Sequence, residues 1–226
     1  MSRRRPRRGG GLELAEQLGS TLDLAELLRT RADGRLAAGD LTGAAEDFRR
    51  VRRIAGPAGA PELVAAAYLG LGEIARRDGD PQRARTLCER AVAECPSGWF
   101  GADVVRLAAL VTLGQLADAT GDPAAARAHY RQVLTAGAGV WDVPVVAAAA
   151  DGLAGRCCAP ATPRAAARLL GAAAALLAGT GAADAPAGTP TAAELREHLG
   201  EAAFATAYAR GADLPRQRAL ALVDGR

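Results

Sequence analysis

The sequence predicts an all-α fold: a tetrad of helix pairs stacked as an α-solenoid and closed by a C-terminal helical cap. Three observations carry that expectation. A Gly-Asp pair recurs at Gly39-Asp40, Gly79-Asp80 and Gly121-Asp122, with a worn copy at Ala161-Thr162, at spacings of 40, 42 and 40 residues. Each pair separates two apolar helical runs, and a period of that size with two helices per copy marks a stacked helical repeat. The chain is 50% hydrophobic but only 4% aromatic, so its apolar residues are mostly Ala, Leu and Val. Alanine is the best helix former and lets helices approach closely, whereas sparse aromatic and Ile residues disfavour strands. Prolines fall where helices should begin.

Residues 1–11, mostly Arg and Gly, have nothing to bury and are expected to be disordered. Helical patterning starts at Leu12, and Ser20-Thr21-Leu22-Asp23 resembles a capping box ahead of the first long helix. Pro61, Pro81, Pro123, Pro144, Pro163 and Pro190 suit first helical positions, where a missing N–H is no loss. Asp80, Asp122, Thr162 and Thr189 directly precede four of these prolines as candidate N-caps, each worth ~1 kcal/mol. Asp142 is the candidate for a fifth. Gly79 and Gly121 are placed to supply the positive φ that ends a helix.

These signals predict helix pairs at 23–38/41–54, 62–78/81–95, 103–120/123–136 and 144–158/163–178. Shorter helices follow near 191–199, 200–209 and 215–224. The expected organisation is a tail at 1–11, repeats at 12–178, a linker at 179–190 and a cap at 191–226.

Packing residues recur in register. Tyr68, Leu71, Gly72 and Ala75 share one face of a first helix, and Ala84, Cys88 and Ala91 one face of its partner. The next copy reads Leu110, Leu113, Gly114 and Ala117, then Ala126, Tyr130 and Val133. Small residues at Gly72 and Ala84 should let paired helices cross closely, while Tyr68 and Tyr130 fill the space between neighbouring pairs. The first copy keeps Leu28, Ala44, Phe48 and Val51 with Ala32 for Gly; the fourth keeps Leu153, Ala154, Ala166 and Leu170.

This register resembles the tetratricopeptide repeat. The resemblance implies a generic protein-binding scaffold whose first helices line a groove for an extended or helical peptide. Transferring the register places Arg29, Glu73, Arg76, Arg77, Gln115, Asp118 and Asp151 in that groove, with ordinary surface charge as the plain alternative. The family's chaperone-type carboxylate clamp depends on Lys and Asn, and the chain has neither; that class of partner is disfavoured.

A second resemblance covers about 145–226. Gly152-Leu153-Ala154 and Pro163 to Ala173, then Leu199-Gly200-Glu201-Ala202-Ala203-Phe204, Ala207-Tyr208, Gly211 and Leu214, are similar to the last repeat of actinobacterial LuxR-type and SARP-type regulators built around a STAND ATPase. Thr191–His198 looks like a shortened version of the helix preceding that signature. No phosphate-binding Gly-x-x-x-x-Gly-Lys-Ser/Thr loop can exist without Lys, and no helix-turn-helix is evident. The resemblance therefore implies the C-terminal repeat region of such a regulator, standing alone.

All 28 basic residues are Arg, a pattern we read as the codon bias of a GC-rich bacterial genome. Net charge is +3, and Arg3, Arg4, Arg5, Arg7 and Arg8 alone contribute +5, which leaves −2 on the rest. A broad basic face for nucleic acid is thereby disfavoured. The Arg cluster reads as a solvated tail or a misassigned start, its alternative being weak, salt-dependent phosphate contact.

No group stands out for catalysis. His129 reads as a solvated surface residue, and His198 lies on a polar helix face. Glu46 and Asp47 read as a solvated face balanced by Arg49 and Arg50. Cys88 and Cys95 are about 10 Å apart along one helix, too far to bridge, and Cys157 and Cys158 point to different sides. Reduced thiols fit a cytoplasmic protein, and no metal or cofactor is expected. The uncharged run Leu169–Ala183 is shorter than the ~20 residues a membrane span needs. The expected function is a non-enzymatic module for a protein or peptide partner, away from membranes; the alternative is a DNA-associated regulator using the Arg tail.

Overall fold

The computed structural model describes residues 11, 15, 19–96, 98, 100–137, 143–155, 162–178 and 183–224. All regular structure among them is helical. The first four helices are α1 (Thr21–Ala37), α2 (Leu41–Ala55), α3 (Pro61–Arg77) and α4 (Pro81–Glu94). Next come α5 (Phe100–Ala119), α6 (Pro123–Gly137), α7 (Val143–Ala154) and α8 (Pro163–Leu176). A 3-10 turn at Ala185–Gly188 leads to α9 (Pro190–Leu199), α10 (Glu201–Ala212) and α11 (Arg216–Asp224). The chain divides into two compact units, Met1–Arg106 and Leu107–Arg226.

The recurring Gly-Asp pair works as a two-part hinge between helices. Gly39, Gly79 and Gly121 have φ of +83°, +79° and +75°, the left-handed backbone that only glycine adopts without strain. That turn lets the following N–H reach back to the helix just ended: Asp40, Asp80 and Asp122 each donate to the carbonyl five residues earlier, all at 2.9 Å. The same aspartates then open the next helix. Their carboxylates accept from Gly43, Arg83 and Ala125 N–H at 2.9–3.0 Å. In the worn copy, Thr162 still caps α8 through Ala165 N–H at 3.2 Å, and Thr189 caps α9 through Ala192 N–H at 3.3 Å.

Two local expectations change, and a third falls outside the described residues. Ser20 caps no backbone N–H; its hydroxyl donates to the Asp23 carboxylate, so the two side chains satisfy each other. Helix α7 ends at Ala154, with a bend at Gly155; residues 156–158 of the expected span lie outside the described residues. Asp142 lies outside the described residues.

Within the first unit, Leu28, Ala32, Ala44, Phe48, Val51 and Leu71 form one buried core. The expected close crossing of α3 and α4 is present: a Cβ on Gly72 would sit 2.8 Å from Cys88 Sγ. Tyr68 is buried, as expected of a residue between pairs, with the Arg52 guanidinium of α2 4.2 Å and that of Arg90 of α4 5.8 Å from its ring centroid. A second close contact between successive pairs is Phe48 of α2 seated on Gly70 of α3, where any Cβ would collide with the ring.

The second unit repeats this device. Tyr130 of α6 lies between Gly114 of α5, whose Cβ would be 2.5 Å from the ring, and Gly152 of α7, which leaves the same kind of gap. Its α8 and α10 pack backbone to backbone through Gly171 and Gly211. Part of the expected linker is ordered here: Pro186 is fully buried, and Arg196 of α9 donates to the Ala187 carbonyl at 2.7 Å.

Candidate functional site

The expected groove residues fall in both units. In the first, α1 and α3 pack beside one another as the first helices of successive pairs. Glu73, Arg76 and Arg77 close into one cluster on α3. Arg76 donates from Nε and Nη2 to the two Glu73 oxygens at 2.7 and 2.8 Å, and Arg77 Nε donates to Oε1 at 2.8 Å. Arg77 also donates from Nη1 to the Leu36 carbonyl at 2.8 Å. That carbonyl sits in the last turn of α1 and also accepts from Gly39 N–H at 3.2 Å. Arg77 thus clasps α1 to α3.

Burial pushes the Glu73 carboxyl upward, but the hydrogen bonds and charges of Arg76 and Arg77 together outweigh it and hold the group below the usual carboxylate range. The cluster keeps one positive charge in excess and presents it beside a carboxylate. Arg29 on α1 is engaged on its own helix, donating to Glu26 at 2.9 Å and Asp33 at 2.8 Å. This α1–α3 face therefore carries mixed charge.

In the second unit, Gln115 is exposed on α5. Asp118 accepts from the Tyr130 hydroxyl at 3.1 Å, with its other oxygen buried. Asp151 accepts from Thr191 N–H at 2.9 Å, at the start of α9. A carboxylate there complements the positive end of the helix, so Asp151 ties α7 to α9.

Two side chains expected on a solvated surface are buried wholly or in part. Asp47 is 3% exposed. Arg31 donates to it from Nε and Nη2 at 2.8 and 2.6 Å, and Arg35 from Nη1 at 2.8 Å. Arg31 and Arg35 of α1 thus reach it from the neighbouring helix, a pairing not expected from the sequence. His129 is half-buried, with Nδ1 shielded from solvent. Both stand at the same register position of a second helix, and the other copies hold Leu87 and Leu169 there. Those leucines are the sequence signal that marks the position as inward-facing.

Arg31, Arg35, Arg49, Arg50 and Arg53 rim an open depression of ≈ 680 Å³ over α1 and α2. Its cationic character is partly spent, because Asp47 holds two of the arginines and Glu46 also lines it. Cys88 and Cys95 are buried free thiols. Burial pushes Cys88 up to about 12 and Cys95 to about 11, so neither offers a thiolate near neutral pH. Among the described residues, no three His, Cys, Asp or Glu side chains gather as metal ligands would, and no helix is long and apolar enough to cross a membrane. The Arg cluster at 3–8 and the Cys157-Cys158 pair lie outside the described residues.

Residues 63–136, from α3 to α6, match the profile of the tetratricopeptide-repeat family, about a third of the chain. No curated protein and no solved structure matches the sequence. Tetratricopeptide repeats generally mediate protein–protein interaction, and the matched segment contains the Glu73 cluster.

Proposed function

We propose that the chain is a non-enzymatic protein-interaction module that captures a partner on the α1–α3 face and serves as the regulatory repeat region of a bacterial transcriptional or signalling regulator. The observation that carries the binding reading is the coincidence of the family match with the Glu73–Arg76–Arg77 cluster on a first helix. A surface of paired charges selects a partner by charge pattern and apolar contact, with a few anchors dominating affinity. The regulatory reading draws on the likeness of residues 145–226 to the end of actinobacterial regulators.

The test is partner capture from the host by wild type and by Arg76→Glu. Arg76 is the better probe than Arg77, which also clasps α1 to α3. The variant should keep its helicity and melting temperature while losing the partners that wild type recovers. Unchanged recovery moves the binding surface off this face. Deleting residues 2–9 should leave capture intact; sequence-specific, salt-resistant DNA binding by that truncated protein would instead favour the DNA-associated alternative.

A further inference from the structure

The second unit holds a group of cations that no described carboxylate pairs. Arg164 and Arg168 stand one turn apart on α8, and Arg210 stands on α10, which crosses α8 at Gly171 and Gly211. With Ala165, Ala207 and Leu222 they line an open depression of ≈ 430 Å³ between α8, α10 and α11. All three arginines are exposed. Among the described residues, none of their side chains makes an ion pair or a hydrogen bond. Elsewhere Arg31, Arg35, Arg76, Arg77, Arg106 and Arg196 each have a carboxylate partner.

The arrangement works against the local electrostatics. Like charges four residues apart on a helix repel by ~0.2–0.5 kcal/mol. Arg164 also lies in the first turn of α8, where the helix dipole disfavours a cation. Among the described residues, no ion pair offsets either term. The backbone-to-backbone crossing of α8 and α10 nevertheless fixes the three side chains around one aliphatic floor.

We propose that this depression docks an acidic, leucine-bearing peptide segment of a partner protein. Carboxylates four residues apart on a peptide helix advance by ~6 Å, the same spacing as Arg164 and Arg168. An apolar side chain from the same peptide face then rests on Ala165, Ala207 and Leu222, and a further carboxylate reaches Arg210. Nucleic acid fits less well: no aromatic ring lines the depression to stack a base, and the floor is aliphatic. A lone small anion would leave that floor uncovered. The inference rests on the protein-binding reading but uses a surface separate from the Glu73 cluster.

Fluorescence anisotropy on the full chain tests it, using a labelled helix-forming peptide with Glu at four-residue spacing and Leu on the same face. Binding should weaken with added salt, and should fall about tenfold or more on replacing the peptide's Glu by Gln or its Leu by Ser. Reversal of all three cations (Arg164→Glu, Arg168→Glu, Arg210→Glu) should reduce affinity at least as far, with circular dichroism unchanged and melting no lower than wild type, since a carboxylate at position 164 suits the start of α8. Arg76→Glu should bind this peptide as wild type does, so loss at one surface is distinguishable from loss at the other. Equal binding by wild type and the triple variant, no binding of the peptide, or tighter binding of a DNA duplex overturns the proposal.

Discussion

Gly171 of α8 and Gly211 of α10 face each other across a crossing that has no room for a side chain on either helix. A Cβ on Gly171 would collide with the Tyr208 carbonyl oxygen and lie 2.9 Å from the Ala212 nitrogen; one on Gly211 would collide with the Arg168 carbonyl oxygen and lie 2.7 Å from the Ala172 nitrogen. Each glycine meets backbone, which cannot rotate away as a side chain can.

The sign of a glycine-to-alanine change is therefore informative. In an unconstrained helix interior, Gly→Ala stabilises by up to ~1 kcal/mol. At Gly211 the new methyl forces the helices apart, and the overpacking cost of ~1–3 kcal/mol should dominate. Urea denaturation of Gly211→Ala should show a lower midpoint with little change in slope. The double variant with Gly171→Ala should lose less than the two singles added, since the first methyl already separates the helices. A rise in stability for either single variant would mean that the crossing is looser than described.

The contact between Phe48 and Gly70 makes a sharper test, because the clash can be relieved from the other side. Gly70→Ala puts a Cβ inside the Phe48 ring and should destabilise by ~1–3 kcal/mol. Phe48→Leu alone leaves a void at a fully buried site and should also destabilise. Together they should cost less than either sum predicts, a coupling of about 0.5 kcal/mol or more in a double-mutant cycle. Strict additivity would show that the two residues do not share this contact.

Both contacts bear on what the sequence makes legible. The Gly-Asp pairs, the proline starts and the close crossing at Gly72 are local or repeat in register, so position and residue type reveal them together. Phe48 on Gly70 is harder to see, because it depends on which neighbour the aromatic ring meets and not on its own copy. Gly171 and Gly211 lie 40 residues apart but on helices of different kinds, one a repeat helix and one a cap helix, so no shared register links them. The mixed charge around Glu73 follows from three- and four-residue spacing on one helix. Asp47 is missed for a different reason: adjacent arginines at Arg49 and Arg50 suggest local pairing and a solvated face, while Arg31 and Arg35 reach it from α1.

Arg31 and Arg35 hold the buried Asp47 carboxylate with three hydrogen bonds. Asp47→Ala removes the anion but leaves both arginines partly exposed, so water recovers some of the loss. We expect destabilisation of ~1–3 kcal/mol, seen as a lower urea midpoint. Arg31→Leu is expected to be worse for its size than substitution of an exposed arginine such as Arg164, because it takes two hydrogen bonds from a carboxylate that stays buried. If Asp47→Ala melts like wild type, the buried pair contributes nothing to the fold. A neutral outcome is physically possible for buried ion pairs replaced by apolar groups, so the comparison with Arg31→Leu decides between a neutral pair and an absent one.

Cys88 links the core to alkaline pH. Burial raises its thiol to about 12, whereas the unfolded chain ionises near the ordinary cysteine value of about 8.5. Between those values the folded state holds a proton that the unfolded state has released. The unfolded state is then favoured as pH rises, so the stabilisation tied to the neutral thiol is complete below about pH 8.5 and declines above it. Urea midpoints should therefore fall from pH 8 to pH 10, and Cys88→Ala should flatten that decline even though its midpoint at pH 7 is lower. Cys95, raised to about 11 chiefly by burial, adds a second decline of the same sign. In a background with Cys157→Ser and Cys158→Ser, a thiol reagent at pH 8 should modify Cys88 and Cys95 slowly in the native protein and rapidly in denaturant. Fast native modification of Cys88 would place its sulfur in solvent, against its position beneath Gly72 in the α3–α4 crossing.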